Sequence, residues 1–284
     1  MPPPLTRVFL VRHGATVLTA EDRFAGAVDV PLSDEGQAQA AGLSRRLAAT
    51  PIHAAYASPL GRAMETAAIV TRGHAVAVTP LPALREISHG RWEEMTRAEV
   101  QARYADEAER WDADPYTFAP EGGESGLQVT ARALPAVLDL VRAHPDQTVL
   151  VVSHKATIRL ILSSLLGFDP RRYRDNLDQS PAALNVVDFR GPTRARLTLF
   201  NDTSHYEQGG LALPAVPAAR LSPWWCVDAG AAGDVGVRWD LWRQDDNGNR
   251  VRVADFATRA EADARMAEFE SRHPEQTYWV APAE

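Results

Sequence analysis

Apolar and polar positions change period several times along the chain, and the changes mark alternating strands and helices. Arg7-Val8-Phe9-Leu10-Val11 is a short apolar run ending in Arg12-His13-Gly14, the pattern of a buried strand feeding a loop. Ser33 to Thr50 follows helical spacing. Leu43 and Leu47 share a stripe, Ser33 is the N-cap, and Asp34 and Glu35 suit the positive helix end. Ala54-Ala55-Tyr56-Ala57 reads as a short strand, after which Ser58-Pro59 predicts a helix with Ser58 as N-cap and Pro59 in its first position. Ala75 to Thr79 is a further strand, and Glu99 to Trp111 a charged helix. A loop over 120–125 leads into a helix from about Gly126 to Ala143. Thr148 to Ser153 is a continuous apolar strand, Ala156 to Leu166 a helix, and Ala183 to Phe189 and Ala195 to Phe200 are closing strands. Near-continuous apolar strands alternating with helices imply a mostly parallel sheet covered on both faces, a three-layer α/β/α architecture.

From Glu207 the pattern stops. Gly209, Gly210, Pro214 and Pro217 among alanines make residues 207–222 a linker between a first domain, 1–206, and a small α+β module, 223–284. In that module Val237 to Gln244 and Arg250 to Phe256 are strand-like and flank Asp245-Asp246-Asn247-Gly248-Asn249, a hairpin signal. Thr258 to Arg272 predicts an amphipathic helix with Ala262, Met266 and Phe269 on one stripe, and Gln276 to Ala281 a last strand. The module holds five of the seven tryptophans, Trp224, Trp225, Trp239, Trp242 and Trp279. In so small a unit these are first of all core; the remainder suits contact with a partner or a second copy of the chain. No motif in it assigns a role.

Composition narrows the class. The chain has 284 residues, 45% hydrophobic and 24% charged, as an ordinary globular protein does. No apolar run approaches the roughly 18 residues of a membrane span. Met1-Pro2-Pro3-Pro4 lacks the basic and apolar regions of a secretory signal. Cys226 is the one cysteine, which excludes an internal disulfide and a cysteine-based zinc site. These features place the protein in the cytoplasm, and the net charge of −7 argues against general nucleic-acid binding. Of 30 basic residues only Lys155 is lysine.

The candidate chemistry gathers at strand ends. Ligands bind open α/β sheets beyond the carboxyl ends of the strands. A neutral imidazole there, at His13, can attack phosphorus, and the neighbouring Arg12 can fork onto phosphate oxygens. Gly14 would let the backbone approach the ligand. Arg62, on the first turn of the helix after Ser58-Pro59, adds an anion site. Ser153-His154 ends a second buried strand and mirrors Arg12-His13, so two histidines can face each other across one crevice. Glu86, in Leu84-Arg85-Glu86, is a candidate proton donor. Taken singly, each has a bland reading: a strand-end histidine, a surface arginine, a solvated carboxylate.

The ordered set resembles the histidine phosphatase superfamily, also called phosphoglycerate mutase-like, over about residues 5–206. The matching pieces are Arg12-His13-Gly14-Ala15-Thr16, Arg23-Phe24-Ala25-Gly26, Pro31-Leu32-Ser33-Asp34-Glu35-Gly36, Ser58-Pro59-Leu60-Gly61-Arg62-Ala63 with Thr66, Glu86 with Gly90 and Trp92, Gly122-Gly123-Glu124-Ser125, and Val152-Ser153-His154. The resemblance implies a phosphoglycerate mutase-like fold and the following roles. His13 is the phosphorylated nucleophile. Arg12, Arg62 and a protonated His154 hold the phosphoryl oxygens. Glu86 protonates the leaving oxygen, and Ala25 and Gly26 lie at the substrate. No metal or other cofactor is called for, because positioned donors can stabilise the transferring group.

Three positions depart from the family pattern. Thr19 stands where Asn is frequent and is a candidate phosphate donor. Lys155 stands where a small residue follows the second histidine. A cation at a helix N-terminus opposes the dipole by about 0.3–1 kcal/mol, so Lys155 is expected to meet an anionic group of the substrate or the phosphate itself. Glu94 replaces a frequent glycine and is expected to crowd the pocket rim. His89 and Arg91 could line the pocket or a solvated loop, and His205 reads as a strand-end turn.

Two enzymatic readings follow. The first is a metal-independent phosphomonoesterase acting on a small phosphorylated metabolite. The second is a phosphoglycerate mutase, which needs extra covering segments to keep water from the phosphoenzyme. The modest stretch between Glu86 and His154, with Gly122-Gly123-Glu124-Ser125, favours the phosphatase branch. A third reading, an inactive phospho-ligand binder or scaffold, is opposed by the intact set His13, Arg12, Arg62, Glu86 and His154.

Overall fold

A computed structural model describes residues 5–20, 23–192, 194–207, 238–244, 250–272 and 277–283. The chain divides into two compact units, Met1–Arg220 and Leu221–Glu284. The expected linker lies outside the described residues except for Glu207.

The first unit is built on a six-stranded sheet of order β3-β2-β4-β1-β5-β6. Its strands are β1 (Leu5–Arg12), β2 (Ala54–Ala57), β3 (Val78–Pro80), β4 (Thr148–Ser153), β5 (Leu184–Arg190) and β6 (Ala195–Asp202). β1, β2, β3 and β4 run parallel, and β5 and β6 pair antiparallel at one side. Successive residues of β1 point to opposite faces, and both faces are covered. Phe9 and Val11 pack with Leu43, Leu47, Ala63, Ala67 and Val70. Val8 and Leu10 pack with Val137, Leu140, Ile158 and Ile161. That double burial makes the central strands read as unbroken apolar runs. Arg7, at the polar start of β1, is paired in the interior with Asp188 of β5 at 2.7 Å.

Among the described residues eight α-helices accompany the sheet: α1 (Val17–Ala20), α2 (Asp34–Leu47), α3 (Gly61–Val70), α4 (Arg97–Arg103), α5 (Ala105–Ala113), α6 (Gly126–Ala143), α7 (Lys155–Leu166) and α8 (Tyr173–Asn176). Ser33 caps α2 through Gly36 N at 3.1 Å, and Ser125 closes a capping box with Gln128 on α6. Two expectations need correction. The helix expected from Ser58 begins at Gly61, and Leu60 occupies its N-cap without a side-chain bond. Pro59 is therefore outside the helix, although Arg62 keeps its place on the first turn. The single helix expected over 99–111 is two. Thr96 starts α4 with a capping box, and Tyr104, at φ −137 and ψ 48, breaks the chain before α5.

In the second unit β7 (Trp239–Gln244) lies between β8 (Arg250–Phe256) and β9 (Thr277–Pro282), all antiparallel, with α9 (Arg259–Arg272) packed alongside. Trp239, Leu241, Ala262 and Tyr278 form its buried side, and Phe269 meets Tyr278 with ring centres 5.6 Å apart. Met266 and Phe269 are only half-buried. Trp224, Trp225 and the expected hairpin tip fall outside the described residues. No described helix in either unit is long and apolar enough to cross a membrane.

Candidate active site

Register brings the two histidines together. β1 and β4 are neighbours, with Arg12 opposite Ser153, so His13 and His154 emerge one step beyond adjacent parallel strand ends. Their ring centres are 5.0 Å apart at 60°. The backbone around His13 is pinned from both sides: His13 N donates to Ser153 O at 3.0 Å, and Ala182 N donates to His13 O at 3.0 Å. His13 Nδ1 lies 2.7 Å from Gly14 O. A carbonyl only accepts, so Nδ1 carries the proton and Nε2 holds the lone pair. Arg62 Nε, 3.3 Å from Nε2, donates to it. Burial, then Arg12 and Arg62, push the His13 pKa well below the ordinary range, which keeps the ring neutral.

A cavity of about 230 Å³ opens here, with Arg12, His13, Arg62 and Glu86 in its wall. Ala25, Gly26 and Lys155 also line it, as do Thr16, Leu18, Arg23, Phe24 and His89. Arg12 is buried, and its Nη1 donates to Gln179 O at 2.6 Å. Burial lowers its pKa to about 10, still charged at neutral pH. Arg62 is aimed by backbone: it donates to Val28 O at 2.6 Å, Gly26 O at 2.9 Å and Ala25 O at 3.0 Å. His154 is fully buried, and neither ring nitrogen has a hydrogen-bond partner among the described residues. The burial of His154 and its positive neighbours run against the protonated form expected from sequence. Burial, followed by His13, Arg62 and Arg12, drives its pKa well down. A neutral imidazole still offers one N–H.

Glu86 sits on the first turn of α7. Its Oε2 accepts from Ala156 N at 3.1 Å, and its Oε1 accepts from Thr157 N at 3.1 Å and from Ile87 N at 2.9 Å. The Thr157 hydroxyl bridges Glu86 Oε1 and Arg85 O, at 3.1 and 2.8 Å. The group that occupies the helix start beside Lys155 is therefore the protein's own carboxyl. Lys155 Nζ also lies 3.7 Å from Asp178 Oδ1, and its side chain is 44% exposed at the cavity mouth.

Other expectations change. Gly14 is needed for packing rather than for ligand approach: a Cβ there would lie 2.4 Å from Gly36 O, on the first turn of α2. Gly14 N is bonded to Thr66 Oγ1 at 3.0 Å, fastening the same loop to α3. Glu94 does not line the cavity. It is exposed, at φ +65, and its carbonyl accepts from Arg23 Nη1 at 2.8 Å. Arg91 turns outward to Glu107 and Glu121. The side chain of Thr19 lies outside the described residues. Sequence reasoning passed over the side chains of Thr16, Gln179 and Thr157, and over the carboxylate of Glu93.

Three buried histidines and the half-buried His89 carry a prediction about stability. Burial lowers His89 and His205 to about 4 and depresses His13 and His154 strongly. In the unfolded chain each takes a proton near 6.5, while in the folded chain it does not until much lower pH. Stability is intact above about pH 6.5 and declines as pH falls toward 4. Unfolding free energy at pH 5 is expected to be lower than at pH 7 by about 2 kcal/mol or more. A urea midpoint that does not fall between those pH values contradicts this account.

The family model for the histidine phosphatase superfamily (branch 1) matches residues 8–203. Phosphoserine phosphatase 1 of Hydrogenobacter thermophilus is 31% identical over 169 residues, 60% of this chain and 80% of that protein. The 2,3-bisphosphoglycerate-dependent phosphoglycerate mutase 2 of Gloeobacter violaceus is 30% identical over 168 residues, 57% of this chain and 77% of that protein. The solved structure of Bacillus stearothermophilus YhfR superposes with a TM-score of 0.68 at 31% identity, covering 71% of this chain and 100% of that one.

Proposed function

Because the chain belongs to the histidine phosphatase superfamily, branch 1, we propose that it is a metal-independent phosphomonoesterase that hydrolyses a small phosphorylated metabolite through a phosphohistidine on His13. The observation that carries the reading is the His13 tautomer: Nδ1–H is turned to Gly14 O, and the Nε2 lone pair faces Arg62 at the cavity. In the first step Nε2 bonds to phosphorus as the ester P–O bond breaks, and Glu86 gives a proton to the departing oxygen. In the second step Glu86 takes a proton from water. The water oxygen bonds to phosphorus, the P–N bond breaks, and inorganic phosphate is released. Arg12, Arg62 and His154 supply donors to the phosphoryl oxygens through both steps. The one cysteine in 284 residues supports a reducing compartment, the cytoplasm, as the place of action.

Assay of p-nitrophenyl phosphate in EDTA, alongside phosphoserine, 3-phosphoglycerate and 2-phosphoglycerate, tests the reading. Release of inorganic phosphate is expected. Interconversion of the two phosphoglycerates without phosphate release would replace it with a mutase, and no turnover of any ester would leave a phospho-ligand binder.

Lys155 bears on which ester. The two named relatives bear the names of carboxylate-containing phosphate esters, and Lys155 is a cation at the mouth of the same cavity. In this reading it meets the carboxylate of the substrate, or a second phosphate. A hydrogen bond to a charged group contributes about 1.5–3 kcal/mol, so Lys155→Ala is expected to lower kcat/KM on the physiological ester roughly 10- to 100-fold. p-Nitrophenyl phosphate, which lacks the second anion, should be nearly unaffected. Unchanged kinetics on every ester would give Lys155 a structural role and none in substrate binding.

A further inference from the structure

The guanidinium of Arg62 is cradled by carbonyls, those of Ala25, Gly26 and Val28. Its direction depends on where the backbone of 25–28 lies. That backbone is fixed at one end by Phe24, whose N donates to Met95 O at 3.0 Å and whose O accepts from Glu94 N at 2.6 Å. In the middle, Gly26 fits so closely against the 86–89 loop that a Cβ would stand 2.1 Å from Ile87 O. Between these points lies the carboxylate of Glu93. Its Oε1 accepts from Ala27 N at 3.1 Å and from His89 N at 2.7 Å. One oxygen thus joins the segment that holds Arg62 to the loop that follows Glu86.

The other oxygen, Oε2, is buried without a hydrogen-bond partner among the described residues. A buried carboxylate left partly unsatisfied destabilises a fold, and burial raises its pKa accordingly. Stability alone does not account for an acid at this place. The geometry gives it another use. We propose that Glu93 is a positioning residue: by gripping Ala27 N and His89 N it holds the carbonyl cradle of residues 25–28, and so aims Arg62 at the transferring phosphoryl group. This rests on the phosphatase reading above. Glu86 has its own anchor, the first turn of α7, so loss of the grip falls on Arg62 and on the phosphoryl group. The leaving oxygen is served as before.

The test compares Glu93→Ala and Glu93→Gln in the full chain. The readouts are inhibition by inorganic phosphate and kcat/KM on one aryl and one alkyl phosphate. Small displacements of a positioning group cost up to about 10²-fold in rate, and Glu93→Ala is expected to weaken phosphate inhibition and kcat/KM together, on the order of tenfold. The loss should be equal on the two esters. Glu93→Gln keeps an oxygen that accepts from both N–H groups and should restore most of the loss. If Glu93→Ala does not fold, Glu93→Asp, one methylene short of both donors, gives the same comparison. Unchanged phosphate affinity in the shortened variant overturns the proposal. So does a loss that grows with leaving-group basicity, which would make Glu93 a proton donor. A wild-type protein that binds phosphate but turns over no ester overturns the phosphatase reading, and the phosphate-affinity comparison still decides the role of Glu93.

Discussion

His13→Ala is expected to remove turnover, lowering kcat by roughly 10⁴-fold or more, as loss of a covalent nucleophile does elsewhere. The reasoning starts from the backbone. His13 N and O are bonded to Ser153 O and Ala182 N, so the side chain leaves a main chain held between β4 and the segment before β5. Its Nδ1 is committed to Gly14 O, which leaves Nε2 as the basic atom. Burial and two guanidinium groups keep the ring unprotonated, so the lone pair is present at neutral pH and no proton must first be removed. The same guanidinium groups become partners once a phosphoryl group arrives. Rapid mixing of wild-type protein with a labelled ester should give a phosphoenzyme stable in base and labile in acid, the behaviour of a P–N bond, and His13→Ala should give none. An acid-stable adduct, or turnover retained in the variant, would move the nucleophile elsewhere.

Glu86→Gln is expected to lower turnover of alkyl phosphates by roughly 10²–10⁴-fold, the usual contribution of general acid catalysis. Aryl phosphates, whose leaving groups need little protonation, should lose much less. The amide is nearly isosteric, but the donors ranged around the carboxylate distinguish it. Glu86 accepts from Ile87 N, Ala156 N and Thr157 N, and an amide NH₂ would have to face one or more of these N–H groups. Part of the loss is therefore local rearrangement, which is why the comparison between leaving groups carries the argument. Equal losses on the alkyl and aryl esters would remove Glu86 from proton transfer.

The central strands and the two facing histidines were legible because burial on both faces leaves a continuous apolar run, and the residue just past such a run lands at the sheet's carboxyl edge. Arg62 falls on the expected turn although its helix starts two residues later than Ser58 indicated, because the order of the residues does not depend on the exact boundary. What could not be read was contact between segments. Glu93 and Gln179 hold the arginines only through backbone groups far away in the chain, and an arginine bound by carbonyls leaves no complementary charge in the sequence to find. Gly14 was read as space for a ligand when the space is taken by Gly36. Lys155 looked exposed to an unfavourable dipole because the carboxylate on that turn, Glu86, lies about seventy positions earlier. The break at Tyr104 has no Pro or Gly to announce it.

The anchoring of His13 makes catalysis a clock for folding. Its immediate partners come from four separated stretches of chain: Gly14 beside it, Arg62 49 residues on, Ser153 across the parallel pair and Ala182 on the far side. Two of these require long loop closures, with β4 and β5 seated on either side of β1. Such non-local pairings form late, since the chain entropy of bringing distant segments together must be overcome before their contacts return anything. Helical signals in a refolding experiment can therefore recover well before the nucleophile has a site. The regain of ester hydrolysis would time the final closure of the sheet, reporting on an event that circular dichroism passes over.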